Sequence, residues 1–351
     1  MATHYNYILR ESFESIELID KILDIRVPED KHIILVSEDV TRPGYVVPHM
    51  VLDHLIECRG YRNITLVVAN GMHRSFSMSE LSNKFGPNVS KIRVLFNNPQ
   101  NNNDWLEDFK KKTNGFIISL SSTMPHNRVG MSGGNKVIVP GCAHWTTTNN
   151  FHKSERAKAI NSMNDTADKL VDYYICYVID SSMRCIDFFD GPYRYQLEEF
   201  REEAKKYFKV KIPEEQPDAV ILHPLIKDFD FQQCMNVFNI LRSGGSKKPL
   251  VRQGGIIGIL ANPVDGIGTH YLFQAVTGIA PVYYDEIYKE ELNDRHLVII
   301  SRSLPEVAVQ DFFKTKMMVV DSQQSFETLV NSRYTNPTIN YYVSPETMIG
   351  C

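Results

Sequence analysis

Four short clusters hold the residue types that proton transfer, anion binding and metal binding require. The first is Asp39-Val40-Thr41-Arg42-Pro43, which gathers a carboxylate, a hydroxyl and a guanidinium. Pro43 suits the first position of a helix, leaving Asp39, Thr41 and Arg42 in a strand-to-helix turn. A plain N-cap with a surface arginine fits the same residues equally well. The second is Gly71-Met72-His73-Arg74. A histidine titrates near neutrality and can serve as a general acid or base, although a lone histidine after a strand is more often structural. The third runs from Pro125-His126 through Arg128 and Ser132-Gly133-Gly134 to Lys136. Its paired glycines permit close backbone approach to a ligand. The GxxxxGK[ST] spacing of a phosphate loop is absent, since Val137 follows the lysine. The fourth leads from Pro140-Gly141-Cys142-Ala143 to His152, which can cap a following helix or bind a metal. No HExxH or paired-cysteine pattern accompanies it, so an all-protein zinc site has little support.

The elements that must position these clusters alternate between β-rich runs and amphipathic helical stretches. Strands are expected at 32–37, 63–69, 92–96, 115–120 and 136–139, and helices at 46–58, from 77, near 154–173 and at 195–207. A β-rich pair at 174–179 and 184–189 falls between the last two helices. Ser77 with Glu80 fits a capping box. A second series is expected after 217, with strands at 218–223, 255–260, 296–301 and 316–320. Its helices are placed at 230–242, 269–276, 305–313 and 322–330. The aperiodic segment 209–217, with two prolines and two glutamates, separates the series. We therefore expect two α/β domains with mostly parallel sheets, 1–212 carrying cofactor binding and catalysis and 213–351 carrying substrate or lid functions. An active-site cleft between them is expected, because sites in such folds collect at the carboxyl ends of strands.

Composition narrows the class of partner. Lys plus Arg number 38 and Asp plus Glu 42, a net charge of −4, which argues against nucleic acid as the main partner. Hydrophobic residues are 43% and charged residues 23%, an ordinary globular balance. No apolar run is long enough for a membrane span. The first fifteen residues lack the apolar core of a secretory signal. Six scattered cysteines without a CxxC pair suit a reducing cytoplasm.

Taken together and in order, the four clusters resemble motifs of the lactate racemase family, the nickel-pincer-nucleotide enzymes. Asp39-x-Thr41-Arg42-Pro43 is similar to DxTRP, and Gly71-x-His73-Arg74 to GTHR. Pro125-His126-x-x-x-Gly130-x-Ser132-Gly133-Gly134-x-Lys136 is similar to PHxxxGxSGGxK, and Pro140-Gly141 with His152 to the PG…H ending. The spacings of ten from His126 to Lys136 and sixteen from Lys136 to His152 agree as well. The resemblance implies a pyridinium mononucleotide with two sulfur-containing arms holding nickel, attached covalently to Lys136 and matured by separate proteins. His152 is implied as the nickel ligand, a soft-sulfur-plus-imidazole set that suits square-planar nickel. Asp39, Thr41, Arg42, Ser132, Gly133 and Gly134 are implied to hold its phosphate and ribose, partly by backbone amides. His73 and His126 are implied as the acid–base pair. In that chemistry a 2-hydroxy acid loses its hydroxyl proton to one histidine and its C2 hydrogen, as hydride, to the cofactor. Return of the hydride to the other face inverts C2.

The sequence departs from the family in two places. Lys227-Asp228-Phe229-Asp230-Phe231-Gln232-Gln233 resembles the family's KDxNLYQ stretch, whose glutamine is followed three residues on by a carboxylate-binding lysine. Gln233 keeps the glutamine, but Asn236 stands at the lysine position. Losing a charge-assisted bond weakens carboxylate binding by roughly 1.5–3 kcal/mol. Arg128 stands where the family usually has an apolar residue, and with Arg42 it is expected to recognise an acidic group on the substrate. The expected reaction is racemisation or epimerisation at C2 of a 2-hydroxy acid other than lactate. A sugar-acid (aldonate) 2-epimerase and a non-catalytic binder of the cofactor or a nucleotide are the alternatives. A binder has no use for two bases.

Overall fold

The structure is a computed structural model that describes residues 3–11, 14, 25–42, 44–126, 128–225, 227–242, 248–268, 292, 294–313 and 316–351, leaving aside the side chains of 152, 153, 241 and 242. The chain is α/β and divides into two compact units, Ser12–Tyr207 and Met1–Glu11 with Phe208–Cys351. The first strand, β1 (His4–Ile8), therefore belongs with the C-terminal residues, pairing in parallel with a strand at Thr338–Val343. The expected division at 212 missed this return. Nothing in an alternating five-residue strand tells which distant sheet edge it joins.

In the Ser12–Tyr207 unit, six strands form one sheet. They are β2 (His32–Glu38), β3 (Ile64–Ala69), β4 (Arg93–Phe96), β5 (Gly115–Ser122) and, after a short hairpin of β6 (Pro125–His126) with β7 (Gly130–Met131), β8 (Tyr173–Ile179) and β9 (Cys185–Gly191). The spatial order is β4-β3-β2-β5-β8-β9, parallel except for β9. Ile33, Ile34, Leu35 and Val36 of β2 are all fully buried, as a central parallel strand covered on both faces requires. Residues from both the sheet (Ile34, Val36, Val67, Ile117) and the helix at Arg156–Leu170 (Ala159, Met163, Ala167) share one core. The strand order reverses between β2 and β5. That is the switch point at which an open parallel sheet leaves a crevice beyond its strand ends.

Helices follow the strands. Helix α1 (Val46–Asp53) begins after Tyr45, and Pro43 lies outside the described residues. Helix α2 (Met78–Phe85) carries the expected capping box. Ser77 Oγ accepts from the Glu80 amide and the Glu80 carboxylate accepts from Ser77 N, an arrangement that contributes about 1 kcal/mol. Helices α3 (Trp105–Thr113), α4 (Asn135–Ile138), α5 (Trp145–Lys153), α6 (Arg156–Leu170) and α7 (Arg194–Ala204) complete the unit's regular helices. The expected strand at 136–139 is instead the single helical turn α4, packed on α6 and β5. A four-residue apolar run is compatible with either state, and the preceding glycine pair at positive φ turns the chain into a helix.

The other unit has a six-stranded parallel sheet. From the β1 edge the order is β1, Thr338–Val343, Ala219–His223, Ile256–Leu260, His296–Ile300 and Met318–Val320. Val220 and Leu222 face one core while Ala219 and Ile221 face another, so both sheet faces are covered. The helix expected at 230–242 is broken into Phe231–Cys234, a 3₁₀ turn at Met235–Phe238 and Asn239–Arg242. The helix expected at 269–276 lies outside the described residues. Among the described residues no helix is long and apolar enough to cross a membrane.

Candidate active site

β2, β3 and β5 end in register, with Glu38 beside Ala69 and Ser37 beside Leu120. Three of the four clusters therefore leave the sheet on one rim: Asp39–Arg42 after β2, Gly71–Arg74 after β3, and the His126 hairpin after β5. The fourth is tied in by main-chain bonds. Gly71 N–H donates to Gly141 O at 2.9 Å, and Asn97 Nδ2 donates to both Gly71 O (3.4 Å) and Ala143 O (3.3 Å).

Asp39 organises the β2 turn. Its Oδ1 accepts from Thr41 N (2.9 Å) and Thr41 Oγ1 (2.6 Å), while Oδ2 forms a close ion pair with His73 Nδ1. Burial opposes ionisation of Asp39. The charge and hydrogen bond of His73, with Arg42 and Thr41, outweigh that penalty and hold the carboxyl well below the usual range. The carboxylate thus fixes the orientation of the His73 ring through Nδ1. Asn70 Nδ2 donates to His73 O at 2.9 Å, which fixes the turn that carries the ring.

His126 is held the opposite way. The Arg128 amide donates to His126 Nδ1 at 3.1 Å, so the neutral ring, its tautomer assigned from this partner, carries its proton on Nε2. The two rings are thus held through Nδ1 by different partners, a carboxylate for His73 and a main-chain amide for His126.

Lys136, in α4, is partly exposed by area, yet protein packed around its ammonium removes much of the water. Burial, then the charge of Arg42, push it down to about 7, against the opposing pull of Glu38 and Asp39. The amine is thus set within electrostatic reach of the Asp39–Arg42 turn.

Two amides of the Ser-Gly-Gly segment have partners within the fold. Ser132 N–H donates to Met124 O (2.8 Å) and Gly134 N–H donates to Ser121 Oγ (2.7 Å). The glycines are required by packing. At Gly134 (φ +57°) a Cβ would lie 2.3 Å from Leu197 Cδ2, and at Gly133 (φ +105°) 2.7 Å from Thr123 Oγ1. Arg128 Nε donates to Phe151 O at 3.1 Å, while its buried Nη2 has no hydrogen-bond partner among the described residues. His152 lies by its backbone in the last turn of α5. Glu155, not His152, precedes the first turn of α6. Among the described residues no three His, Cys, Asp or Glu side chains converge as a ligand set.

In the other unit, Asp230 Oδ1 caps the broken helix by accepting from Gln233 N at 2.8 Å. Gln233 is buried, and Asn236 Nδ2 donates to Gln233 O at 2.8 Å, a bond within its own turn. The neighbouring Gln232 has a buried Oε1 without a partner among the described residues.

Residues 8–164 match the model of the lactate racemase N-terminal domain. Over this stretch the chain is similar to the lactate racemase family. It is 24% identical over 228 residues to a lactate racemase of Lactiplantibacillus plantarum, an alignment covering 54% of this chain and 53% of that protein. It is also 24% identical over 128 residues to a lactate racemase of Thermoanaerobacterium thermosaccharolyticum, covering 32% and 30%. The chain thus spans about half the length of one curated relative and about a third of the other. Among solved structures, the lactate racemase apoprotein of T. thermosaccharolyticum shares the fold with a TM-score of 0.64 at 16% identity, covering 100% of this chain and 94% of that one. A Thermotoga maritima protein does so with a TM-score of 0.66 at 14% identity, covering 95% of each chain.

Sequence reasoning missed the groups beneath the family motifs. Lys84 of α2 is fully buried; its Nζ donates to Asp39 O (2.7 Å) and Arg42 O (3.2 Å) and lies 3.7 Å from Glu38 Oε1. Glu38 also accepts from Ser122 N (3.0 Å), Ser122 Oγ (3.1 Å) and Tyr177 Oη (3.1 Å). Arg201 of α7, also buried, donates to Met131 O in the His126 hairpin. One signal was present. Lys84 sits between Leu81 and Phe85 on the buried stripe of α2, where an amphipathic helix normally places an apolar residue.

Proposed function

We propose that this chain racemises or epimerises C2 of a 2-hydroxy acid with a nickel-pincer nucleotide attached to Lys136. The observation that carries this reading is the gathering of the Asp39–Arg42 turn, the Gly71–Arg74 turn and the His126 hairpin at the ends of β2, β3 and β5, with Lys136 in electrostatic reach of Arg42 and Asp39. The residues fit such a group. A lysine amine can form a covalent bond to an activated acyl arm, and Arg42 offers positive charge for a phosphate. His152 would supply the nickel ligand. When bound, the cofactor supplies a hydride acceptor for the C2 hydrogen of the substrate.

The chain's own residues handle the proton and the orientation. His73, with Nδ1 bonded to Asp39, takes the hydroxyl proton at Nε2, and the resulting imidazolium is stabilised by the carboxylate. His126, with its Nε2–H, supplies a proton to the carbonyl oxygen of the 2-keto acid when the opposite hand is formed. Running the reaction backward exchanges the two roles.

A substrate other than lactate is favoured by two residues. Asn236 brings no charge and is engaged with its own turn, whereas Arg128 has a buried Nη2 free of partners among the described residues. A buried guanidinium nitrogen in that state suits an acidic group. An aldonate 2-epimerase is the second reading, favoured by the same pair. The family's maturation proteins would be needed to load the enzyme.

The test is intact mass and metal analysis of protein produced with the maturation proteins. We expect a mass adduct and nickel near one per chain, both lost in Lys136→Ala. No adduct and no nickel in the wild type would refute the reading. A panel of 2-hydroxy acids and aldonates on the loaded protein then identifies the substrate.

A further inference from the structure

Lys84 is a cation with no place in the proton-transfer chemistry, yet it is more deeply buried than any residue assigned to it. Its side chain is 0% exposed. Burying an ammonium is costly unless it is paired and fully hydrogen-bonded, so its partners indicate its purpose. They are the main-chain oxygens of Asp39 and Arg42, which bracket the turn, and the Glu38 carboxylate. Glu38 is itself fixed by Ser122, at the end of β5, and by Tyr177 of β8. Tyr177 Oη donates also to Gly44 O at 3.1 Å, on the far side of the same turn. Lys84 and Tyr177 thus bond the backbone of the turn at Asp39, Arg42 and Gly44, and Glu38 links the two.

We propose that Lys84 is the positioning residue of the acid–base pair, holding the Asp39–Arg42 turn so that the Asp39 carboxylate stays on His73 Nδ1. The inference rests on the reading of His73 and Asp39 as an acid–base unit. A lysine suits the task because one ammonium has three donors that can diverge toward two carbonyls and a carboxylate. Burial pulls its pKa down, while Glu38 and Asp39 work to keep it charged. A methionine of similar length would fill the space but remove the ammonium from both carbonyls, leaving Asp39 O only the Arg42 amide at 3.2 Å.

The experiment uses the cofactor-free protein, so it does not depend on racemase activity. The carboxylate-held Nδ1 proton of His73 is read as a downfield, slowly exchanging NMR resonance, assigned by its loss in Asp39→Asn and His73→Gln. We expect Lys84→Met to lose or broaden it at a temperature where far-ultraviolet circular dichroism shows a wild-type fold. Leu81→Ala, a buried apolar change on the same helix that removes no hydrogen bond of the network, should retain the resonance despite a comparable fall in Tm. Retention of the resonance in folded Lys84→Met would overturn the proposal, as would equal loss in both variants. If Lys84→Met does not fold, Lys84→Gln is read in the same way. Failure of both to fold would make Lys84 a residue of global stability and overturn the positioning role. On loaded enzyme, kcat should fall at least tenfold with KM within twofold. A protein that takes no cofactor would sink the proposed function yet leave the NMR result intact.

Discussion

At Asp39, geometry and electrostatics give the same prediction. The carboxylate is ionised in a buried site because His73 and Thr41 stabilise the charge. Asp39→Asn keeps the shape but offers Nδ1 a poorer and uncharged partner, and the preferred tautomer of His73 is lost. We expect kcat to fall about 10²–10⁴-fold, the range over which a positioned general base contributes. Stability should respond to pH in one direction. The folded carboxyl titrates well below the value of about 3.9 in the unfolded chain, so the unfolded state takes up the proton first as pH falls. The stabilisation from Asp39 is full at neutral pH, begins to fall in the ordinary carboxylate range and is lost as pH drops from there to the lower folded value. Urea unfolding of wild type and Asp39→Asn should therefore differ by about 1–3 kcal/mol at pH 7, with the gap closing below about pH 4. A gap that is constant with pH would mean that the carboxylate is not ionised in the folded protein.

The elements explain why four weak clusters become one rim. The register of β2 with β3 and β5 sets the ends of adjacent strands side by side, and the reversal of order between β2 and β5 opens the space beyond them. The buried strands were legible in the sequence because 33–36 and 64–68 are nearly uninterrupted apolar runs, and the α2 start was legible from Ser77 and Glu80. The single turn α4, the two-residue strands around His126 and the breaks in 231–242 were not, since pieces that short carry no periodicity to read. Nor could the sequence tell that the Ser132 and Gly134 amides turn inward, because a glycine pair looks the same whether it serves a ligand or a tight packing contact. Two glycines separate these uses. Gly71 has φ +53° and open space within 4 Å of the point a Cβ would occupy, whereas Gly134 has φ +57° and a contact at 2.3 Å. Gly71→Ala should cost only the left-handed backbone penalty of about 1–2 kcal/mol. Gly134→Ala should add an overpacking cost of about 1–3 kcal/mol. Chemical denaturation of the two variants measures the difference, and equal costs would mean that Leu197 moves aside freely.

For the whole molecule, the two units were differently legible. Residues 8–164 match the lactate racemase N-terminal domain model, and every motif that led to the proposed chemistry lies there. In the other unit the resemblance thins to one stretch, 227–236, and its key difference is a single side chain. Asn236 spends its amide on Gln233 O and carries no charge, whereas the family's pattern has a lysine. This makes the substrate class a property that one substitution should move. Asn236→Lys restores a cation for a small carboxylate, and a charge-assisted bond is worth roughly 1.5–3 kcal/mol, which is about 10–150-fold in affinity. On loaded enzyme we expect KM for a short 2-hydroxy acid such as lactate to fall at least tenfold in Asn236→Lys, while KM for the native substrate stays level or rises. The companion variant Arg128→Ala should do the reverse, raising KM for the native substrate by a similar factor, if its buried Nη2 holds the acidic group. Unchanged KM for lactate in Asn236→Lys together with a raised KM in Arg128→Ala would place carboxylate recognition wholly on the His126 hairpin. Unchanged values in both would remove these two departures from the family as the source of specificity.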